Sequence, residues 1–280
     1  MEIAVIIPTY NRRELVTRAV SSVLVQTYPP VEVIVVDDGS DDGTASVLRE
    51  TFGERITVLR HAERRGVSAA RNTGIQASTA PWVAFLDADD EWHPTKLEEQ
   101  VRYHEEHPDL LISQCDEVWI RNGVRVNPMK KHRKQGGWIF QACLPLCIVS
   151  PSAVLIHRSV LEEVGLFDEE LPVCEDYDLW LRISHRFQIG FLPRLLLTRY
   201  GGHPDQLSRS VPVMDRFRIR AMEKQLQADL PLPWRRALLE ELVRKCRIVA
   251  QGARKRGLQQ RATEYFDKME RYAALLRDLD

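Results

Sequence analysis

Apolar and polar positions alternate in blocks along the first hundred residues. Residues 3–9 (I-A-V-I-I-P-T) form an unbroken apolar run ending in a proline turn, the pattern of a strand buried on both faces. Helical periodicity follows over residues 14–26. A second apolar run, residues 33–36, stops at D-D-G-S, and residues 44–50 are again helical. Residues 56–59 predict a third strand, residues 68–77 a helix rich in small side chains, and residues 82–86 a fourth strand that stops at D-A-D-D. Pro94 suits the first turn of a helix reaching about His107.

Strands alternating with helices predict a parallel, doubly wound sheet over this part of the chain. Such sheets bind ligands beyond the carboxyl ends of their strands. Polar clusters stand at those ends here, at residues 9–11, 37–40 and 87–90. The second half is less regular. Strands are expected over residues 110–120 and 153–156, short helices over 159–164 and 175–184, and one or two strands around Pro193 within 187–200. Residues 121–137 read as a polar loop and 201–213 as a second loop. From Met214 onward the pattern is helical, with turns near Pro231, Pro233 and Gly257.

Composition narrows the class. The 280 residues hold 39 Lys+Arg against 40 Asp+Glu, a net charge of −1, and are 44% hydrophobic. That supports a packed core and argues against both disorder and a nucleic-acid binder. Glu2, Arg12, Arg13 and Glu14 interrupt the opening residues, so no cleaved leader is expected. Residues 138–156 carry no formal charge, but Pro145 and Pro151 would break a spanning helix. They predict a short helix, a turn and a buried strand. Among five cysteines only Cys143 and Cys147 are close, so reduced, buried thiols in a cytosolic protein are expected rather than a zinc ribbon or a disulfide framework.

Three acidic clusters are candidates for chemistry. In D-D-G-S, Asp37 and Asp38 either accept hydrogen bonds from a ribose or base, or merely close a turn. In L-D-A-D-D-E-W, Asp87, Asp89 and Asp90 crowd three carboxylates into four residues. A divalent cation would relieve their repulsion, since Mg²⁺ and Mn²⁺ take oxygen ligands; a solvated helix cap is the alternative. In C-E-D-Y-D-L-W-L-R, Glu175 and Asp176 open a helix, where negative charge is favourable. No G-x-G-x-x-G follows the first strand, and neither G-x-x-x-x-G-K-[ST] nor G-x-S-x-G occurs. This argues against nicotinamide dehydrogenases, P-loop NTPases and serine hydrolases.

Five segments occur in order: V-I-I-P-T-Y-N-R, V-V-D-D-G-S-D-D-G-T, G-V-S-A-A-R-N-T-G, F-L-D-A-D-D and E-D-Y-D-L-W-L-R. Together they resemble the family-2 glycosyltransferases of GT-A fold, over about residues 3–205. The resemblance implies an α/β fold with a Rossmann-like, mostly parallel central sheet, flanking helices and a C-terminal helical extension. It divides the chain into a transferase domain, 1-213 (1-110 for the nucleotide, 111-213 for the acceptor), and the extension, 214-280. It implies an inverting, metal-dependent transfer from a nucleotide-sugar, a UDP-sugar first, to an acceptor hydroxyl. Pro8, Thr9 and Tyr10 would line the nucleobase and ribose pocket, Asp38 with Asp37 would bind the base, and Arg71 with Asn72 would reach the nucleotide. Asp87 and Asp89 would hold the ribose and Mn²⁺ or Mg²⁺, with Asp90 a third acid and His203 a further ligand. Asp176 matches the general base and Glu175 supports it.

The relatives' setting implies a saccharide or lipid-linked acceptor, surface-polysaccharide or glycolipid assembly, and a cytoplasmic protein at the inner face of a membrane. K-K-H-R-K (residues 130–134) and the arginines of the extension leave a peripheral membrane contact and a homodimer open. Two other classes compete. A sugar-1-phosphate nucleotidyltransferase would need a G-x-G-T-R opening that is missing, and a non-catalytic sugar-nucleotide scaffold sits poorly with intact acids in all three clusters.

Overall fold

The computed structural model describes residues 1–127, 129–202 and 213–279. Four strands of the first half lie as the apolar runs predict: β1 (Ile3–Thr9), β2 (Glu32–Asp37), β3 (Thr57–Arg60) and β4 (Trp82–Phe85). They pair in parallel, with β1 between β2 and β4. All seven residues of β1 are buried, which is why its sequence is a solid apolar run rather than an alternating one. Pro8 is tolerated in this central strand because the pairing with β4 ends at Ile6.

Helices α1 (Arg13–Leu24), α2 (Thr44–Phe52) and α3 (Val67–Ala77) cover this half. The small residues of α3 let it approach β1 closely. A Cβ on Gly74 would lie 2.5 Å from Cγ2 of Ile6. That approach brings Arg71 and Asn72, on the same helix, to the carboxyl end of the sheet.

Beyond β4 the sheet changes character. Strand β5 (Glu91–Trp92) and helix α4 (Lys96–Glu106) precede β6 (Ile112–Arg121) and β7 (Val124–Val126). Then come α5 (Phe140–Cys143), β8 (Val154–His157), α6 (Arg158–Val164), α7 (Glu175–Ser184) and β9 (Gly190–Gly201). The strand order is β3-β2-β1-β4-β8-β6-β9-β5, with β7 on β6. β8 runs antiparallel to both β4 and β6, and β5 antiparallel to β9. The sheet is therefore mixed, and the parallel part expected from the sequence is the half made of β1 to β4. The two short strands β5 and β7 carry too few residues to show a period. Of the one or two strands expected around Pro193, the fold has one: the register slips opposite Asp116, so Pro193 and Arg194 bulge outward and the ladder continues.

Residues 138–156 form α5, a turn and β8, as predicted, and among the described residues no helix is long and apolar enough to cross a membrane. All five cysteines are free. Helices α8 (Asp215–Gln225), α9 (Leu232–Lys255) and α10 (Gln259–Arg277) complete the chain. They share a core with the second half: Leu238, Leu242 and Cys246 cluster with Phe140, Tyr177 and Trp180. Lys245, 1% exposed, ties this layer down. Its Nζ donates to Pro145 O and Asp215 Oδ1, both at 3.0 Å.

Gly74→Ala tests the close approach of α3. The added methyl must displace fully buried Ile6, so a loss of about 1–3 kcal/mol is expected in urea denaturation.

Candidate active site

The carboxyl ends of β1, β2 and β4 meet the amino end of α7, and all three acidic clusters gather there. On the β2 side, Asp37 and Asp38 are both buried. Asp37 Oδ1 accepts from Ser40 N (3.0 Å) and closes the turn. Asp38 Oδ1 accepts from Arg65 N (2.9 Å) and Oδ2 from Gly66 N (2.8 Å). His61 Nδ1 lies 2.7 Å from Asp38 Oδ1, and because a carboxylate only accepts, Nδ1 carries the proton. Asp38 thus anchors the loop between β3 and α3. Gly39, with φ +80°, is needed where it stands: a Cβ there would meet the Glu63 carbonyl carbon at 2.9 Å. Arg64, in the same loop, stacks over the Tyr10 ring at 4.3 Å. Among the described residues, Thr9 Oγ1 is buried at the end of β1 without a hydrogen-bond partner.

The acids after β4 separate into different roles. Asp87 N donates to Ser152 Oγ (3.0 Å), and Ser152 Oγ donates to Asp90 Oδ2 (2.7 Å). Tyr200 N reaches Asp90 Oδ1 at 3.3 Å. Asp90 therefore points inward, 2% exposed. Burial pushes its pKa well above the usual carboxylate range; Arg199 opposes this, and Asp89 and Asp87 add to it. Asp87 and Asp89 stay nearer the surface, each bound to an arginine by one oxygen. Arg71 Nη2 donates to Asp87 Oδ1 (2.8 Å), and Arg12 Nη1 to Asp89 Oδ2 (2.5 Å). The second oxygen of each is the kind of hard donor that Mg²⁺ or Mn²⁺ accepts. Among the described residues no three His, Cys, Asp or Glu side chains make a closed metal cage. Two carboxylates alone would leave most of such an ion's shell to oxygens from outside the protein.

Arg71 is the centre of the arrangement. It is 3% exposed, its Nη1 donates to Glu175 Oε1 (2.7 Å) while Nη2 holds Asp87, and its guanidinium lies over the Phe167 ring at 5.0 Å. Asn72 serves the neighbouring loop. Its Nδ2 donates to Phe167 O and Glu169 Oε1, both at 2.9 Å, and its Oδ1 accepts from Phe167 N (3.0 Å). That side chain faces the 167–169 loop rather than open space.

At the amino end of α7, Cys174 adopts a left-handed conformation (φ 65°), which is uncommon for a residue with a Cβ. The kink turns Glu175 inward and leaves Asp176 half-buried. Asp176 Oδ1 accepts from Tyr177 N (2.7 Å), and Cys147 Sγ lies 3.4 Å from Oδ2. Burial and the Asp176 charge push the Cys147 thiol well up, so it stays neutral beside the carboxylate. Burial, then Asp176, raises Glu175 to about 7 against the pull of Arg71.

Nothing in the sequence pattern places Arg12, Ser152, Arg199 or Cys147 at this site. Arg12 stood in the quoted V-I-I-P-T-Y-N-R segment, and Ser152 beside the Pro151 turn, but nothing local says what either touches. His203 lies outside the described residues. Lys134, the last residue of the basic run, turns inward onto Glu117 (2.7 Å), whereas Lys130, Lys131 and Arg133 are exposed.

Residues 4–165 match the family described as Glycosyl transferase family 2. The chain is 31% identical over 219 residues to an uncharacterized glycosyltransferase of Rickettsia bellii (strain RML369-C), covering 75% of this chain but only 31% of that one. It is 27% identical over 211 residues to the UDP-Glc:alpha-D-GlcNAc-diphosphoundecaprenol beta-1,3-glucosyltransferase WfaP of Escherichia coli, covering 74% and 79%. Among solved structures it superposes on S. aureus TarS 1-349 in complex with UDP-GlcNAc with a TM-score of 0.78, covering 99% and 84% at 21% identity. That likeness shows the GT-A type of fold.

The raised Glu175 pKa has a sign that can be checked. A carboxyl whose pKa rises from 4.5 to about 7 on folding binds more protons in the native state between those values. Stability should therefore fall as pH rises through that window and be unaffected by this group below it. Arg71, Asp176 and Asp87 are the charges nearest this equilibrium and are present in both proteins compared. Urea denaturation from pH 4.5 to 7.5 should show that slope in the wild type and a flatter one in Glu175→Gln, whatever the difference in absolute stability.

Proposed function

The chain belongs to glycosyl transferase family 2, and from that footing we propose that it moves a sugar from a UDP-sugar to an acceptor hydroxyl with inversion at the anomeric carbon. One observation carries this reading: a single buried guanidinium, Arg71, binds Asp87 from the nucleotide half and Glu175 from the acceptor half. The candidate donor site and the residue next to the candidate base are thereby tied to one side chain, which supports a transfer in which both reactants must be held in place.

In this reading the nucleoside lies across the carboxyl ends of β1 and β2, against Pro8, Thr9 and Tyr10. Asp38, with Asp37 beside it, shapes the base pocket through the loop that it anchors. Asp87 and Asp89 hold Mn²⁺ or Mg²⁺. When bound, the ion neutralises the charge that develops on the departing nucleoside diphosphate. Asp90 and Asn72 support the site from behind. Asp176 takes the proton of the acceptor hydroxyl while that oxygen bonds to the anomeric carbon and the bond to the diphosphate breaks on the opposite face. An alcohol is too weak an acid to react without such a base, which is typically worth about 10²–10⁴-fold. Glu175 keeps Arg71 in place and takes no proton from substrate.

WfaP acts by its name on a diphosphoundecaprenol acceptor, which favours a lipid-linked acceptor here and a role in surface-polysaccharide or glycolipid assembly. The protein then works from the cytoplasm at the inner membrane face, with the exposed Lys130, Lys131 and Arg133 available to anionic headgroups. We assign residues 1-213 to the transferase domain and 214-280 to its helical extension.

Two measurements test this reading. Thermal shifts across UDP-, GDP- and dTDP-sugars with Mn²⁺ should be largest for a UDP-sugar, because binding to the native state raises its apparent stability. Asp176→Asn should lower turnover on the true acceptor by at least about 10²-fold while donor affinity changes little, because a base acts in the transition state. Glu175→Gln should be milder. An active Asp176→Asn beside a dead Glu175→Gln would move the base by one residue, and two active variants would remove it from α7.

A further inference from the structure

Residues 118–161 contain no Asp or Glu. Within them Arg121, Arg125, Lys130, Lys131 and Arg133 are exposed, and among the described residues none of the five has an ion pair. Glu117, just before this stretch, is buried and already held by Lys134 and Arg199.

Local chemistry gathers these cations. Asn122 and Gly123, both at positive φ, close a two-residue turn that pairs β6 with β7. Trp119 lies opposite Val126 and Arg121 opposite Val124, so these four share one face of the hairpin. The chain then returns over that face: His132 packs on Trp119 with ring centroids 5.3 Å apart, and Lys134 reaches back to Glu117 at 2.7 Å. Arg121, Lys130, Lys131 and Arg133 are thereby drawn to one side, together with Val124 and Met129, which are 65% and 60% exposed. Burial, then the charges of Lys131 and Arg199, hold the His132 pKa below its usual value, as a cationic surrounding should. This side borders the candidate site. Ile120 lies opposite Tyr200 in the β6–β9 ladder, and Tyr200 N donates to Asp90 Oδ1 at 3.3 Å.

Going beyond the three cations named above, and resting on the lipid-linked acceptor of that reading, we propose that the β6–β7 hairpin and the turn after it dock on an anionic lipid bilayer. Val124 and Met129 enter the headgroup layer, and the carboxyl end of the sheet is turned toward the membrane. Separate cations on long exposed stems suit a plane of headgroups, and the two bare apolar side chains among them suit the layer beneath. A chain of net charge −1 has no general attraction for anions, so this patch orients the molecule as well as holding it. The candidate site then faces the surface from which a lipid-linked acceptor presents its hydroxyl.

The test is co-sedimentation of the full chain with phosphatidylcholine vesicles, with and without phosphatidylglycerol. Wild type should sediment only with the anionic vesicles, and less as salt is raised. Joint replacement Lys130→Gln, Lys131→Gln and Arg133→Gln should weaken binding by about fivefold per charge removed. Replacing the equally exposed Arg247, Lys255 and Arg256 by Gln removes the same charge from the C-terminal helices and should keep most of the binding. Val124→Ser with Met129→Ser should also weaken binding, while its salt dependence stays as in wild type. Neither set touches the candidate site, so the thermal shift with UDP should be unchanged in all of them. The proposal is overturned if wild type ignores anionic vesicles, if it binds neutral ones equally well, or if both sets of Gln variants lose binding alike. Vesicle binding as expected beside no thermal shift with any nucleotide would leave the docking face standing and remove the donor site instead.

Discussion

A buried guanidinium has lost its water, and only anions on the protein side make that tolerable. Arg71 meets this condition with Asp87 on one side and Glu175 on the other. Much of the site follows from it. Asp87 follows β4 in the parallel half, whereas Glu175 opens α7 in the half that packs on the C-terminal helices. Neither half can shift without stranding a charge in a dry place. Gly74 lets α3 sit low enough on β1 to bring Arg71 there, and Phe167 fills the space above its plane.

The same constraint extends outward through α7. Tyr177 and Trp180 lie in one core with Phe140 and with Leu238 and Leu242 of α9. Tyr177 Oη donates to Leu144 O (2.6 Å), and Lys245 Nζ donates to Pro145 O (3.0 Å). The segment that carries Cys147 to Asp176 is therefore gripped from α7 and from α9. The C-terminal helices, remote from every acidic cluster in sequence, buttress the wall on which the candidate base stands.

Charge balance in the 87–90 turn explains why sequence proximity misleads there. Along the chain, three carboxylates have no basic neighbour, and a bound cation or a solvated helix cap is the relief the sequence offers for their repulsion. In the fold, Arg12 pairs with Asp89 and Arg71 with Asp87, and the charge of Arg199 favours the ionised form of Asp90. Repulsion by itself thus says nothing about a metal. The case for one rests on the two outward carboxylates, Asp87 and Asp89, and on their second oxygens.

Hydrophobic period and turn chemistry are local, and what depends on them was legible in the sequence. The solid run of β1, the punctuated helices of the first hundred residues, the break of residues 138–156 at its prolines and the helical end of the chain could all be read directly. So could the order of five segments that marks the family. The mixed character of the sheet could not, because a short strand such as β8 looks the same whether its neighbour runs parallel or antiparallel. Nor could the direction of individual side chains. No local pattern says that Asp38 holds the 61–66 loop or Asn72 the 167–169 loop, or that Asp90 turns inward while Asp87 and Asp89 lie nearer the surface. Those choices depend on which distant donors the sheet order brings within about 3 Å, a distance at which hydrogen bonds form and across which no local pattern can see.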